Sequence, residues 1–211
     1  AGGGTGSGDA TPSATVETWN GSSWTETTDI NLGRYLGGSG GTSTSTLIFG
    51  GYPAGGGAPG YTDKTESWNG SAWTELADLN LARGYMRGAG ASNTLALAFA
   101  GNTPGTTNID NTETWNGTAW TEVNDLNTAR DLLAGSGSSS TNSLAFGGLS
   151  TAVTSTESWN GTSWTEVNDL GTGRRELGGS TNGSNTQALA FGGATSPGAV
   201  QTATEQWTFP S

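Results

Sequence analysis

The chain has 211 residues, 37 of them Gly and nine of them Trp, with no Cys, no His and a formal net charge of −11 at pH 7. Without Cys there is no disulfide framework and no thiolate chemistry, and without His there is no Ser–His or Cys–His catalysis and no imidazole metal ligand. The acidic balance argues against nucleic acid and anionic membrane surfaces as partners.

Only 31% of the residues are apolar and 12% charged, a polar mixture that nine Trp nevertheless separate from disordered chains, which are poor in aromatics. The longest apolar runs, such as Leu95–Ala100, are too short to cross a bilayer. Nothing at the N-terminus reads as a signal peptide, although cleavage before Ala1 would have removed one.

The sequence is repetitive, and its period governs the fold. Glu-x-Trp-Asn-Gly-x-x-Trp-Thr-Glu occurs with Trp pairs at 19/24, 68/73, 115/120 and 159/164, and a fifth, incomplete copy ends at Trp207. In chain order, two strands flanking Asn20-Gly21 make a partial repeat over about 16–33. Arg34, ten residues after Trp24, opens the first full repeat, 34–82. A Gly/Ser stretch follows, then the apolar run Leu47–Phe49 with Gly-Gly behind it, then the next Trp phrase. The order recurs over 83–129 with Arg83 and Leu95–Phe99, and over 130–173 with Arg130 and Leu144–Phe146. It recurs incompletely over 174–208, with Arg174 and Leu189–Phe191, so that 1–211 read as a single domain.

Each full unit reads as four strands: a in the Gly-rich stretch, b in the apolar run, c and d in the two Trp segments. Asn-Gly between c and d is a strong hairpin signal, because both positions tolerate positive φ. With a two- or a four-residue turn the paired Trp share one face, alternation adds Glu66 and Glu75 to it, and Thr takes the other. No stretch keeps a helical apolar period, so no helix is expected. Side chains grow from strand a to strands c and d. A radial array of sheets is crowded near its axis and open at its rim, which puts the small residues inside and Trp outside. A linear solenoid is the alternative.

This order of Arg, Gly-rich strand, apolar strand with Gly-Gly, acidic–aromatic strand and Trp resembles the kelch repeat. The wording Thr-Glu-Ser-Trp-Asn-Gly-Thr-Ser-Trp-Thr-Glu-Val at 156–167, with Asp-Leu-x-x-x-Arg downstream, is similar to repeat proteins of marine bacteriophages and bacteria. Those are often tail-fibre or other virion-associated products. The resemblance covers about 16–208 and implies an all-β, kelch-like β-propeller of four-stranded blades, on a virion or outside the cell. Trp stands in strand c where many kelch repeats carry Tyr, and Asn-Gly replaces a longer c–d turn. A closed ring is expected, completed by the N- and C-terminal partial blades, with five blades favoured if these stay separate and four if they merge. Ala1–Gly4 reads as the Gly-Gly tail of a further b strand.

Spacing separates scaffold from site. Trp-to-Trp and Trp-to-Arg distances are constant, whereas Phe to the next Trp is 19, 16, 13 and 16 residues. The slack lies in the b–c loops, Gly51–Lys64, Gly101–Asn111, Gly148–Ser155 and Gly193–Thr202, which share a face with the Asp-Leu-x-x-x-Arg segments. Loops on a fixed scaffold carry binding. Tyr52, Tyr61 and Lys64, in the longest loop, are the candidate binding residues, together with Arg34, Arg83, Arg130 and Arg174, a basic ring suited to acidic glycans.

Each feature also has a structural reading. For the Arg residues it is bonding to Asp29, Asp78, Asp125 and Asp169 or to carbonyls, and for the paired Trp it is packing between blades. The recurrent Glu are expected to be solvated or bonded to Thr rather than to act as a hydrolytic pair. Asn20, Asn69, Asn116 and Asn160 have the form of glycosylation acceptors but are expected to serve the turn. A sialidase turn, Ser-x-Asp-x-Gly-x-x-Trp, is absent, since Trp68 stands two before Gly70. A kelch-type copper oxidase would need His and Cys. The expectation is a non-enzymatic attachment or decoration module, with no cofactor, metal or catalytic residue. Its partner would be a glycan, a host-surface receptor or another virion protein, and it could form a homo-oligomer. A purely structural virion protein and a bacterial lectin-type propeller are the alternatives.

Overall fold

The computed structural model describes residues 12–55, 60–105, 107–149, 151–180 and 183–208. Ala1–Gly4, read above as the tail of a b strand, lies outside them, as do residues 56–59 of the longest b–c loop. Among the described residues every regular element is a β-strand.

β1 (Val16–Trp19) and β2 (Trp24–Thr27) form a hairpin of their own. Next come β3 (Arg34–Tyr35), β4 (Gly38–Thr42), β5 (Ser45–Phe49), β6 (Tyr52–Pro53), β7 (Thr65–Trp68) and β8 (Trp73–Glu75). Of these, β4-β5-β7-β8 is an antiparallel sheet, and β3 pairs with β6 at its side. The pattern returns in β9 (Arg87–Ser92), β10 (Leu95–Phe99), the loop ribbon β11 (Asn102–Thr103) and β12 (Thr107–Asn108), β13 (Thr112–Trp115) and β14 (Trp120–Val123). Here β9-β10-β13-β14 is the sheet. A third sheet holds β15 (Ala134–Ser139), β16 (Asn142–Phe146), β17 (Thr156–Trp159) and β18 (Trp164–Val167) in that order. The last has three strands, β19 (Gly178–Gly179), β20 (Gln187–Phe191) and β21 (Thr204–Thr208). The a-b-c-d order read from the repeat is therefore the order of the strands in each full sheet.

The Trp pairs face each other directly: Trp19↔Trp24, Trp68↔Trp73, Trp115↔Trp120 and Trp159↔Trp164 are register partners. The turn differs from a two-residue Asn-Gly turn in which both residues are left-handed. Four residues connect the strands, and only the Gly is left-handed, with φ between 94° and 100° at Gly21, Gly70, Gly117 and Gly161. The Asn acts through its side chain. Asn116 Oδ1 accepts the backbone N–H groups of Thr118 (2.9 Å) and Ala119 (3.0 Å), and Asn20, Asn69 and Asn160 do the same. This side-chain turn, which Asn and Asp favour, explains the conserved spelling of the four hairpins.

Neighbouring sheets stack face to face. Phe49 of β5 meets Trp120 of β14 edge-on at 4.8 Å between centroids, and Phe99 of β10 meets Trp164 of β18 at 5.1 Å. Each of these Trp donates its indole N–H to a Thr of the preceding sheet, Trp120 to Thr65 and Trp164 to Thr112, both at 3.0 Å. An aromatic pair with a satisfied polar tip is a favourable use of buried Trp. Backbone bonds repeat the link: Gly51, Gly101 and Gly148 donate to the carbonyls of Arg83, Arg130 and Arg174 in the following unit. The Gly-rich strands β4, β9, β15 and β19 meet around a common cavity of about 370 Å³. All-β stacking of antiparallel sheets with the small residues grouped together is consistent with a propeller-like arrangement.

Candidate functional site

The four repeated arginines are buried, each no more than 1% exposed. Arg34 donates to the carbonyls of Gly50 (3.2 Å) and Lys64 (2.6 Å) and pairs with Glu66 at 2.6 Å. Arg83, Arg130 and Arg174 repeat the arrangement with Glu113 (2.9 Å), Glu157 (2.8 Å) and Glu205 (2.6 Å). The second oxygen of each carboxylate takes a backbone N–H from the d–a segment: Asn31 (2.6 Å), Asn80 (2.8 Å), Asn127 (2.7 Å) and Gly171 (2.6 Å). Burial pulls the guanidinium groups of Arg34, Arg83 and Arg130 below their usual value, and the facing Glu opposes that pull.

Two expectations are corrected here. The acid that meets each Arg is the first Glu of the repeat, not Asp29, Asp78, Asp125 or Asp169. Asp125 and Asp169 instead accept the backbone N–H groups of Thr112 and Thr156, and Asp78 pairs with Lys64. Nor do Arg34, Arg83, Arg130 and Arg174 form a basic ring at the surface, since all four are buried and their terminal guanidinium nitrogens bond carbonyls and carboxylates within each unit. Glu66, Glu113 and Glu157 are thus internal partners rather than solvated, whereas Glu75, Glu122 and Glu166, opposite them in strand d, are exposed.

Tyr52 and Tyr61 come together with two residues that the loop argument did not single out. The chain has four Tyr, and they form one row. Tyr35 lies 5.3 Å from Tyr52, Tyr52 lies 6.2 Å from Tyr61 edge-on, and Tyr61 lies 6.2 Å from Tyr85 edge-on. The local cause is the β3–β6 pairing, which sets Tyr35 opposite Tyr52, so the d–a segment and the b–c loop share a face as expected. Tyr61 closes over Gly84, where a Cβ would stand 2.6 Å from its ring. All four rings are half-buried. Burial raises the hydroxyl pKa of Tyr61 and Tyr85, and the nearby Asp131 adds to it in both.

Tyr85 has a left-handed backbone, φ 54°, and so do Leu36, Leu132 and Glu176 at the same place in the other units. A non-Gly residue in that region costs about 1–3 kcal/mol. Its recurrence two residues after each buried Arg ties it to the repeat. Backbone bonds between neighbouring units run through these positions, Tyr85 to the Leu36 carbonyl and Glu176 to the Leu132 carbonyl.

Around the row, Asp131 is half-buried, and burial lifts its carboxyl above the usual value against the pull of Asn102 and Arg175. Arg175 is bound to Glu176 at 2.9 Å. Lys64 is engaged with Asp78 at 2.7 Å, a bond that raises its pKa, and no described contact joins it to the tyrosines.

Two cavities flank these features. In the one lined by the Gly-rich strands, Arg87 is, among the described residues, the only charged lining residue; burial lowers its pKa, and no acid among them faces it. The larger, about 520 Å³, lies between β1–β2 and the β4-β5-β7-β8 sheet and is lined by Trp19, Trp24, Trp68 and Trp73. Among the described residues no group of three or more His, Cys, Asp or Glu converges as a metal cage. No protein-family model matches the sequence, and no curated protein matches it.

Proposed function

We propose that the chain is a non-enzymatic attachment module whose contact surface is the row Tyr35, Tyr52, Tyr61 and Tyr85. The observation that carries this reading is that every tyrosine of the chain lies in that one half-buried row. The repeated Arg, Glu and Trp serve the scaffold, while the tyrosines break the repeat. A Tyr ring offers a flat apolar face with a polar tip, which suits a sugar or a partner protein. With the repeated Arg turned inward and Asp131 and Glu176 beside the row, a neutral glycan fits better than an acidic one. The scaffold reading is a kelch-like propeller of five blades left open between its two terminal partial blades, supported by the a-b-c-d sheets and the shared cavity of the Gly-rich strands. Its resemblance to virion-associated repeat proteins supports a place on a phage particle or outside the cell.

An array of neutral and acidic glycans, read at several salt concentrations, tests the site. Neutral glycans should be retained, and the double variant Tyr52→Ala/Tyr61→Ala should lose about tenfold in binding, since each aromatic contact contributes about 0.5–1.5 kcal/mol. Its melting temperature should stay close to that of the parent. Capture that survives the double variant but fails when the Asn-Gly hairpins are altered would place the site on the opposite face.

A further inference from the structure

The two seams between four-stranded sheets each join two different half-surfaces, and the two ends of the array each leave one such half exposed. In the interior, a strand-b Phe meets the second Trp of the next sheet, and that Trp donates to the Thr that opens the earlier c strand. Phe49 and Phe99 are fully buried there, and Trp120 and Trp164 are 5% exposed. At the C-terminal end, β20 turns Leu189 and Phe191 outward, 42% and 45% exposed. Thr204, the matching Thr, is exposed at the start of β21. At the N-terminal end, Trp19 and Trp24 of β1–β2 are 50% and 55% exposed, with part of each also lining the cavity beside the β4-β5-β7-β8 sheet.

The hairpin already has the shape that a seam uses. Trp19 and Trp24 stand 5.5 Å apart at 46°, the same values as Trp115 and Trp120 inside the array. Both ends are exposed in the same molecule, so they do not cover each other. The hairpin is also held on its own neighbouring sheet. Trp73 donates to the Thr28 carbonyl at 3.1 Å, Thr28 donates to the Ser71 carbonyl at 3.3 Å, and Asn31 and Leu32 donate to Glu66.

We propose that the β1–β2 hairpin of one copy docks on the β19-β20-β21 sheet of a second copy. Trp24 covers Phe191 and donates its indole N–H to Thr204, which rebuilds the interior seam between molecules. The two surfaces are unlike, so the contact propagates head to tail and yields a ring if the rotation closes and a filament if it does not. This inference does not depend on the tyrosine row.

Sedimentation analysis of the whole chain over a range of concentrations tests it. The parent should form species larger than one chain, growing with concentration. Trp24→Ala and Phe191→Ala should each be monomeric and folded, because both residues are exposed. Mixed in equal amounts, they should recover a species of two chains and nothing larger, since each variant retains one intact half. Thr204→Val, which removes only the hydroxyl, should shift assembly to higher concentration. A parent that stays monomeric throughout would overturn the proposal, as would two folded variants that fail to pair on mixing.

Discussion

Glu113 stands 2.9 Å from Arg83 with side-chain exposure of 2% and 0%, so neither charge can turn to water. Glu113→Gln leaves the guanidinium buried without its counter-charge, and breaking such a pair costs about 3–5 kcal/mol. In Glu205 the same chemistry sits at the end of the array with the side chain 30% exposed. Glu205→Gln should therefore lower the urea midpoint far less than Glu113→Gln, and equal losses would refute the assignment.

Asp131 gives a second test at this scale. Its folded pKa is raised above the ordinary value of 3.8, chiefly by burial. The group favours the fold most when protonated, below that value, and the contribution is lost as pH rises through the higher folded value. Asp131→Asn should thus raise the melting temperature at neutral pH, with the difference shrinking in acid. A variant that is less stable at neutral pH would contradict this reading. The Arg partner was not legible in the sequence, because Asp78 lies five residues from Arg83 whereas Glu113 lies thirty residues away. Only strand pairing brings strand c back to the start of strand a.

Among the elements, the c–d hairpins and the strand order were readable, because period-two alternation around Asn-Gly fixes the face and the register. What the alternation could not show is how Asn works, since a side chain that accepts two N–H groups leaves the same spelling as a left-handed residue. Asn116→Ala removes those bonds at an exposed turn and should cost about 1 kcal/mol in denaturant titration. No change in midpoint would mean that Gly117 alone makes the turn.

The seams make a larger demand. Trp68 is 3% exposed and donates to the Ser43 carbonyl at 3.1 Å. Trp68→Ala should cost about 3–5 kcal/mol. Trp19→Ala, at the same place in the repeat but exposed, should cost much less. The contrast follows from position in the array, which residue type and spacing cannot reveal. The tyrosine row was half legible for a related reason. Tyr52 and Tyr61 stood out in the longest loop, but Tyr35 and Tyr85 sit beside the repeated Arg, and their proximity depends on the β3–β6 pairing and on the neighbouring unit.

In the molecule as a whole, the repeated residues weld sheet to sheet, and the recognition proposed above falls to the residues that break the repeat. The nine indoles report on the weld directly. Trp68, Trp73, Trp115, Trp120, Trp159, Trp164 and Trp207 each donate the indole N–H to a protein oxygen, at 2.9–3.2 Å. Among the described residues, Trp19 and Trp24 have no indole hydrogen bond, and their ring contact is with each other. Amide-type hydrogen exchange of the indole N–H signals, followed by NMR on the Phe191→Ala chain to keep single copies, should show two fast signals and slower exchange for the other seven. Within the slow set, Trp120 and Trp164, bonded across a seam between buried sheets, should be among the last to exchange. Exchange of Trp120 and Trp164 as fast as that of Trp19 and Trp24 would mean that the sheets are not joined through them.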